Sequence, residues 1–196
     1  MARSELVGAP PAQRHRMIAA AFADRVEGVK DWEVPAPVAG WTARDVVRHL
    51  VDWLPGFLAS GSDAALADVD VDADPVAAWR ARADAVQAIL DDPAVPSRRL
   101  VNPHTGEWPL DAAIDRFYTI DVFMHTWDLA RATGQDEDLD EALCAELVDE
   151  MASIEDLLRS SGQYGPAVPV PEDADAVTRL VGFIGRDPSW RPASTV

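Results

Sequence analysis

Apolar residues recur at helical spacing along most of the chain, and the recurrence breaks at stretches rich in Pro, Asp and Gly. From Pro10 to Val29, the residues Met17, Ile18, Ala21, Phe22 and Val26 share one stripe, and Pro10-Pro11 suits a helix start. WEVPAPVAG closes that helix. A second helix opens at Thr42, where Thr42-Ala43-Arg44-Asp45 resembles a capping box with Asp in place of Glu. Its inward stripe is Val46, His49-Leu50, Trp53-Leu54 and Phe57, and Pro55 is expected to kink or shorten it. Asp74 caps a third helix whose first residue is Pro75, with Val76, Trp79, Ala83, Val86 and Leu90 inward. RRLVNPHTGEWPL reads as a short hairpin turning near HTG.

A fourth helix is expected from Leu110 to Thr133, with Gly134 at its end. Leu110, Ala113, Ile114, Phe117, Asp121, Met124, His125 and Asp128 fall on its stripe. A fifth runs from about Leu139 to Arg159, and a Pro-rich crossing then leads into a short helix from about Asp173 to Ile184. The pattern predicts an all-α fold, a bundle of four core helices with additional short helices and one small hairpin. At 196 residues the chain reads as a single domain, 1–196, large enough to bury a full core.

Charge narrows the partners. The formal net charge is −17, and Lys30 is the single lysine among 17 cations. Nucleic acid and anionic membrane surfaces both require clustered cations, so neither is expected as a partner. No apolar run approaches a membrane span, and the N-terminal stretch has no secretory core, so a cytoplasmic protein is expected. One cysteine, Cys144, excludes an intrachain disulfide and thiolate metal clusters, and its place on the fifth helix suits a small core residue.

The candidate chemistry sits in the fourth helix, in the stretch DVFMHTWD. Asp121 and His125 are four residues apart and so share a face. On a buried stripe an unpartnered carboxylate would cost several kcal/mol, roughly, and a divalent cation removes that cost. Imidazole plus carboxylate suits Zn²⁺, Ni²⁺, Fe²⁺ or Mn²⁺. A third ligand has to come from another helix, and His49 lies on the inward edge of the second. Two histidines and one carboxylate leave positions open for water or substrate, the pattern of a catalytic site rather than a closed structural one. Asp128, one turn beyond His125, is placed to accept from the ring N–H that faces away from the metal. Asp45 and Asp52 are candidates for the same support of His49. Trp41, Trp53, Trp79, Trp108 and Trp127 read as core or interface aromatics. His15, between Arg14 and Arg16, reads as solvated, and His104 is a further candidate for lining a pocket.

Three blocks carry a resemblance: GWTARDVVRHLVDW, RFYTIDVFMHTWDLARATG and YGPAVPVPEDADAVTRLVGFIGRDPSW. They resemble an uncharacterised metal-binding family of the DinB-like superfamily, related to the N-terminal domain of mycothiol-dependent maleylpyruvate isomerase. The resemblance spans roughly residues 12–190, and its second block is the most specific. It implies a DinB-like four-helix bundle with a divalent metal between helices, on a His of the second helix and an acid-x-x-x-His pair of a later one. Carried over, these are His49, Asp121 and His125. The isomerase branch has Glu where Asp121 stands and adds a separate C-terminal domain that this sequence lacks, so the isomerase's own reaction is not carried over. Superfamily members use the metal to bind and activate a low-molecular-weight thiol, mycothiol or bacillithiol.

The expectation is therefore a divalent-metal-binding protein that activates mycothiol for S-transfer or isomerisation of an electrophile, as a monomer or homodimer. Hydrolysis by metal-bound water and a non-enzymatic metal-binding stress-response module are the alternatives.

Overall fold

Helix α1 (Pro11–Glu27) of the computed structural model begins on a proline whose missing N–H a first turn does not need. The structure describes residues 4–160, 162 and 164–192, so both ends of the expected 1–196 domain lie outside the described residues. Helix α2 (Ala43–Ala59) opens on a formed capping box. The Asp45 N–H donates to Thr42 Oγ1 at 3.3 Å, and the Thr42 N–H donates to the Asp45 carboxylate at 2.9 Å. Helix α3 (Pro75–Leu90) is capped by Asp74, which accepts from the N–H groups of Val76 and Ala77, both at 3.0 Å. The hairpin forms as expected: β1 (Arg99–Asn102) pairs antiparallel with β2 (Gly106–Pro109), and the Asn102 side chain accepts from the turn N–H groups of His104 and Thr105.

The expected single helix from Leu110 to Thr133 is instead three segments. A short α4 (Leu110–Ala113) leads into a π-helical turn at Ile114–Thr119, and α5 (Ile120–Thr133) follows. A π turn holds one extra residue, which rotates everything after it by about 100° relative to an α pattern. Here it sends Tyr118 and Thr119 wholly into the core and leaves Phe117 half-buried. Gly134 ends α5 in the left-handed conformation at φ 67°. The expected fifth helix also divides, into α6 (Glu141–Ala152) and α7 (Glu155–Ser160). Ser153 donates its hydroxyl to the Glu150 carbonyl at 2.6 Å at this break, a local bond that competes with continued helix. Helix α8 (Ala176–Phe183) completes the order.

The architecture is all-α with the small hairpin. Helix α1 packs on α3 and α5, and α2 on α3 and α5, so these four close a ring around one core, while α6 and α8 pair beside it. Phe22, Leu50, Leu54, Trp79, Ile114 and Leu129 are wholly buried inside. Helix α5 is out of water over nearly its whole circumference, from Val122 to Ala132. No helix among the described residues is long and apolar enough to cross a membrane.

Two expectations need correction. Pro55 does not shorten α2, which continues to Ala59. A proline removes the donor for the carbonyl four residues back, here Val51. The buried Arg82 of α3 supplies that bond, donating from Nε to Val51 O at 3.0 Å and from Nη2 to Ala67 O at 3.0 Å. His15 is not solvated; it is buried against α3, with Nδ1 2.8 Å from Gln87 Oε1. Gln87 donates from Nε2 to Ala12 O and Asp91, so its oxygen accepts and His15 carries its proton on Nδ1. Burial depresses the His15 pKa below its ordinary value; the Gln87 hydrogen bond and Asp91 oppose the shift, and Arg16 adds to it.

Two outcomes follow. Arg82→Met leaves the buried Val51 carbonyl without a donor and is expected to lower stability by about 2 kcal/mol in urea unfolding. His15 has a folded pKa below its unfolded value of about 6.5, so its contribution is present above that pH and is lost as pH falls through the folded value. The difference in urea stability between wild type and His15→Gln should therefore change between pH 7.5 and 5.5; parallel curves would refute the assignment.

Candidate metal centre

His49 on α2 and Asp121 and His125 on α5 meet where the two helices pack, and their nitrogen and oxygen donors all lie within 4.8 Å of one another. His49 Nε2 is 3.0 Å from Asp121 Oδ2, and His125 Nε2 is 3.5 Å from Asp121 Oδ1. Each carboxylate oxygen thus faces one imidazole. The three side chains are graded in depth, 33% exposed for His49, 20% for Asp121 and 6% for His125. The group opens on one side and is closed on the other.

The closed side holds Asp128, whose side chain is wholly buried. Asp128 Oδ2 lies 2.8 Å from His125 Nδ1, as its spacing suggests. Arg186, just beyond α8, donates to the same carboxylate from Nε at 3.2 Å and from Nη2 at 3.0 Å. Burial would raise the Asp128 pKa, but the His125 hydrogen bond and the Arg186 charge outweigh it and hold the carboxyl below its ordinary range. Asp121 follows the same pattern. Burial pushes it up, and His125, His49 and the Trp53 indole bring it below the usual value.

The donor chemistry fits a divalent cation. An ionised Asp128 can only accept, so His125 Nδ1 carries a proton toward it, and Nε2 is the ring nitrogen that faces Asp121. His125 Nε2 and Asp121 Oδ1 stand 3.5 Å apart, long for a direct hydrogen bond and close enough for both to reach one cation. The arrangement is also that of metal-binding histidines, whose second nitrogen is tied to a carboxylate.

The open side is a cavity of about 450 Å³ lined by His49, Asp121 and His125 together with Trp41, Trp53, Phe57, Phe117, Thr105, Arg116, Tyr164 and Arg186. Trp41 stacks on His125 at 5.7 Å between ring centres and approaches His49 at 5.1 Å. Trp53 donates its indole N–H to Asp121 Oδ2 at 3.1 Å. Burial pushes the Tyr164 phenol up to about 12, with the Asp121 charge adding to the effect.

Other candidates fall elsewhere. Asp45 is engaged by Thr42 and Arg48, and Asp52 is exposed; the His49 ring is flanked by Trp41 and Trp53 instead. His104 is exposed in the hairpin turn, and its neighbour Thr105 reaches the cavity. Trp79 and Trp127 are core residues, while Trp108 is half-buried, with its indole on Thr105 O. Burial pushes the Cys144 thiol up to about 12, as suits an inert core residue. The residues that sequence reasoning missed are Arg186, Tyr164, Arg116 and the Trp53 hydrogen bond. For Trp53 a signal existed, since it stands four residues after His49 on the same face.

Residues 15–130 match the family described as the mycothiol maleylpyruvate isomerase N-terminal domain. The chain belongs to that family. The isomerase N-terminal domain is DinB-like, as the sequence blocks implied, and the family is associated with mycothiol. The uncharacterized proteins MT0763 and Rv0738 of Mycobacterium tuberculosis, strains CDC 1551 / Oshkosh and ATCC 25618 / H37Rv, are similar to this chain. Each is 32% identical over 183 residues, covering 90% of this chain and 97% of the relative. No solved structure matches. The stretch matched by the isomerase domain family contains His49, Asp121, His125 and Asp128, whereas Tyr164 and Arg186 lie beyond it.

Removing the buried carboxylate leaves the Arg186 guanidinium without its counter-charge. Asp128→Ala is expected to cost about 3 kcal/mol of stability, measured by urea unfolding with a chelator present throughout.

Proposed function

We propose that this chain binds one divalent cation on His49, Asp121 and His125 and uses it to activate mycothiol for transfer to, or isomerisation of, a small electrophile. The observation that carries the reading is the meeting of three suitable donors at one wall of a cavity. That cavity, about 450 Å³, is the size of a small-molecule pocket. Mycothiol enters through the family to which the chain belongs.

A divalent cation on these donors supplies the stabilisation that turns a thiol into a thiolate at neutral pH. The chain's own groups do the rest. Asp128 fixes the His125 ring through Nδ1, and the Trp53 indole fixes the Asp121 carboxylate through Oδ2. Trp41, Trp53, Phe57 and Phe117 give the cavity an aromatic wall that keeps water from the reacting sulfur. Tyr164 retains its proton and is available as a donor to an electrophile that develops negative charge.

Among the described residues that line the cavity, no Asp, Glu or His stands outside the trio. A thiol starts from a pKa of about 8.5 and water from about 15.7, so on the same cation the thiol asks less of a further base than water does. The exposure of His49 to the cavity runs against a site saturated by protein groups, as a purely structural role would have it.

Purified protein should carry about one divalent ion per chain by elemental analysis, and calorimetry should detect mycothiol binding only to the loaded form. His125→Ala and Asp121→Ala should lose the ion, and with it mycothiol binding. Thiol transfer retained by metal-free His125→Ala would overturn the reading.

A further inference from the structure

We propose that Arg186 is a positioning residue that sets the proton of His125 through Asp128, so that the segment beyond the matched domain completes the centre. The observation is a chain of three side chains with fixed hydrogen-bond roles. A guanidinium can only donate, and Arg186 directs Nε and Nη2 at Asp128. An ionised carboxylate can only accept, and with Arg186 on it the remaining approach to Asp128 Oδ2 is taken by His125 Nδ1. The His125 proton therefore sits on Nδ1. The other tautomer would turn an Nδ1 lone pair onto the buried Asp128 acceptor and place a hydrogen on Nε2, between His125 and Asp121.

The arginine is aimed rather than incidental. Gly185 stands in the left-handed conformation at φ 85° directly after α8, a turn that side-chain-bearing residues resist, and it swings the chain back toward α5. Arg186 is then held at its backbone N–H by Val181 O at 3.0 Å and at Nη1 by Ile184 O at 3.0 Å. The same segment is anchored independently of Asp128. Arg159 donates to Phe183 O at 2.7 Å and to Gly165 O at 2.6 Å, and the Val168 N–H donates to Gly182 O at 2.9 Å. The segment thus has hydrogen bonds besides the Arg186–Asp128 contact.

Two readouts test this. The first is the His125 tautomer in metal-free protein, read by ¹⁵N NMR of the histidine rings. Wild type should show the proton on Nδ1, and Arg186→Met a mixture of tautomers. The second is calorimetric titration with Zn²⁺ alone. Arg186→Met should bind about 10- to 100-fold more weakly, Asp128→Asn likewise, and the double variant no more weakly than Asp128→Asn. Arg159→Met, which loosens the same segment away from the centre, should leave both readouts as in wild type.

The affinity arm rests on the metal reading above, and the tautomer arm does not. Wild type that binds no Zn²⁺ but shifts its tautomer on loss of Arg186 refutes the metal reading and supports this one. An unchanged tautomer in Arg186→Met, or an equal effect from Arg159→Met, overturns the positioning role. Should Arg186→Met not fold, Arg186→Lys keeps the charge without the two-pronged donor. It should shift the tautomer in the same direction, and an unshifted tautomer there overturns the proposal.

Discussion

Helix α5 runs through the bundle with nearly every side chain out of water, and this desolvation is the constraint on which the rest of the centre depends. A helix in that position can keep a charge only where a partner answers it. Asp128, wholly buried, is answered by His125 and Arg186. Asp121, nearer the cavity, is answered by two imidazoles and an indole N–H. Asp121, His125 and Asp128 of α5 therefore form one connected set with His49 and Arg186. Each member is hydrogen-bonded or ion-paired to the next, so the orientation of the donors is tied to the buried Asp128.

Much of this was legible in the chain because it rests on local chemistry. The Thr42 capping box, the Asp74-Pro75 start of α3, the glycine end of α5 and the hairpin are each specified within a few residues. Asp121, His125 and Asp128 were readable for the same reason, since three and four residues along a helix make a shared face. His49 required one tertiary assumption, that its helix packs on theirs, and α2 does pack on α5.

What escaped depends on partners far away in sequence. The π turn before α5 leaves no mark in a 3.6-residue pattern, and Phe117, half-buried, lines the cavity beside Asp121, Met124 and His125. Pro55 reads locally as a kink or an early stop because Arg82, which takes up the orphaned carbonyl, is on another helix. His15 sits between two arginines, and that local reading hid the pairing of Arg14 with Asp115 and Arg16 with Asp91, which frees the histidine to turn inward. Arg186 is 58 residues from Asp128, and nothing near either one announces the other. The short Asp121 side chain reaches His49 at 3.0 Å because α2 and α5 pack on each other.

The walls of the cavity come from separate parts of the chain. The donors stand on two packed helices, whereas Trp41, Thr105, Tyr164 and Arg186 come from the start of α2, the hairpin turn and the two ends of the segment around α8. Connecting segments accept substitution and insertion far more readily than packed helices. A change in any one of them reshapes the chamber while the three donors stay in register. Related chains could therefore share an unaltered set of donors and diverge in what they admit, each by revising a different short stretch of sequence.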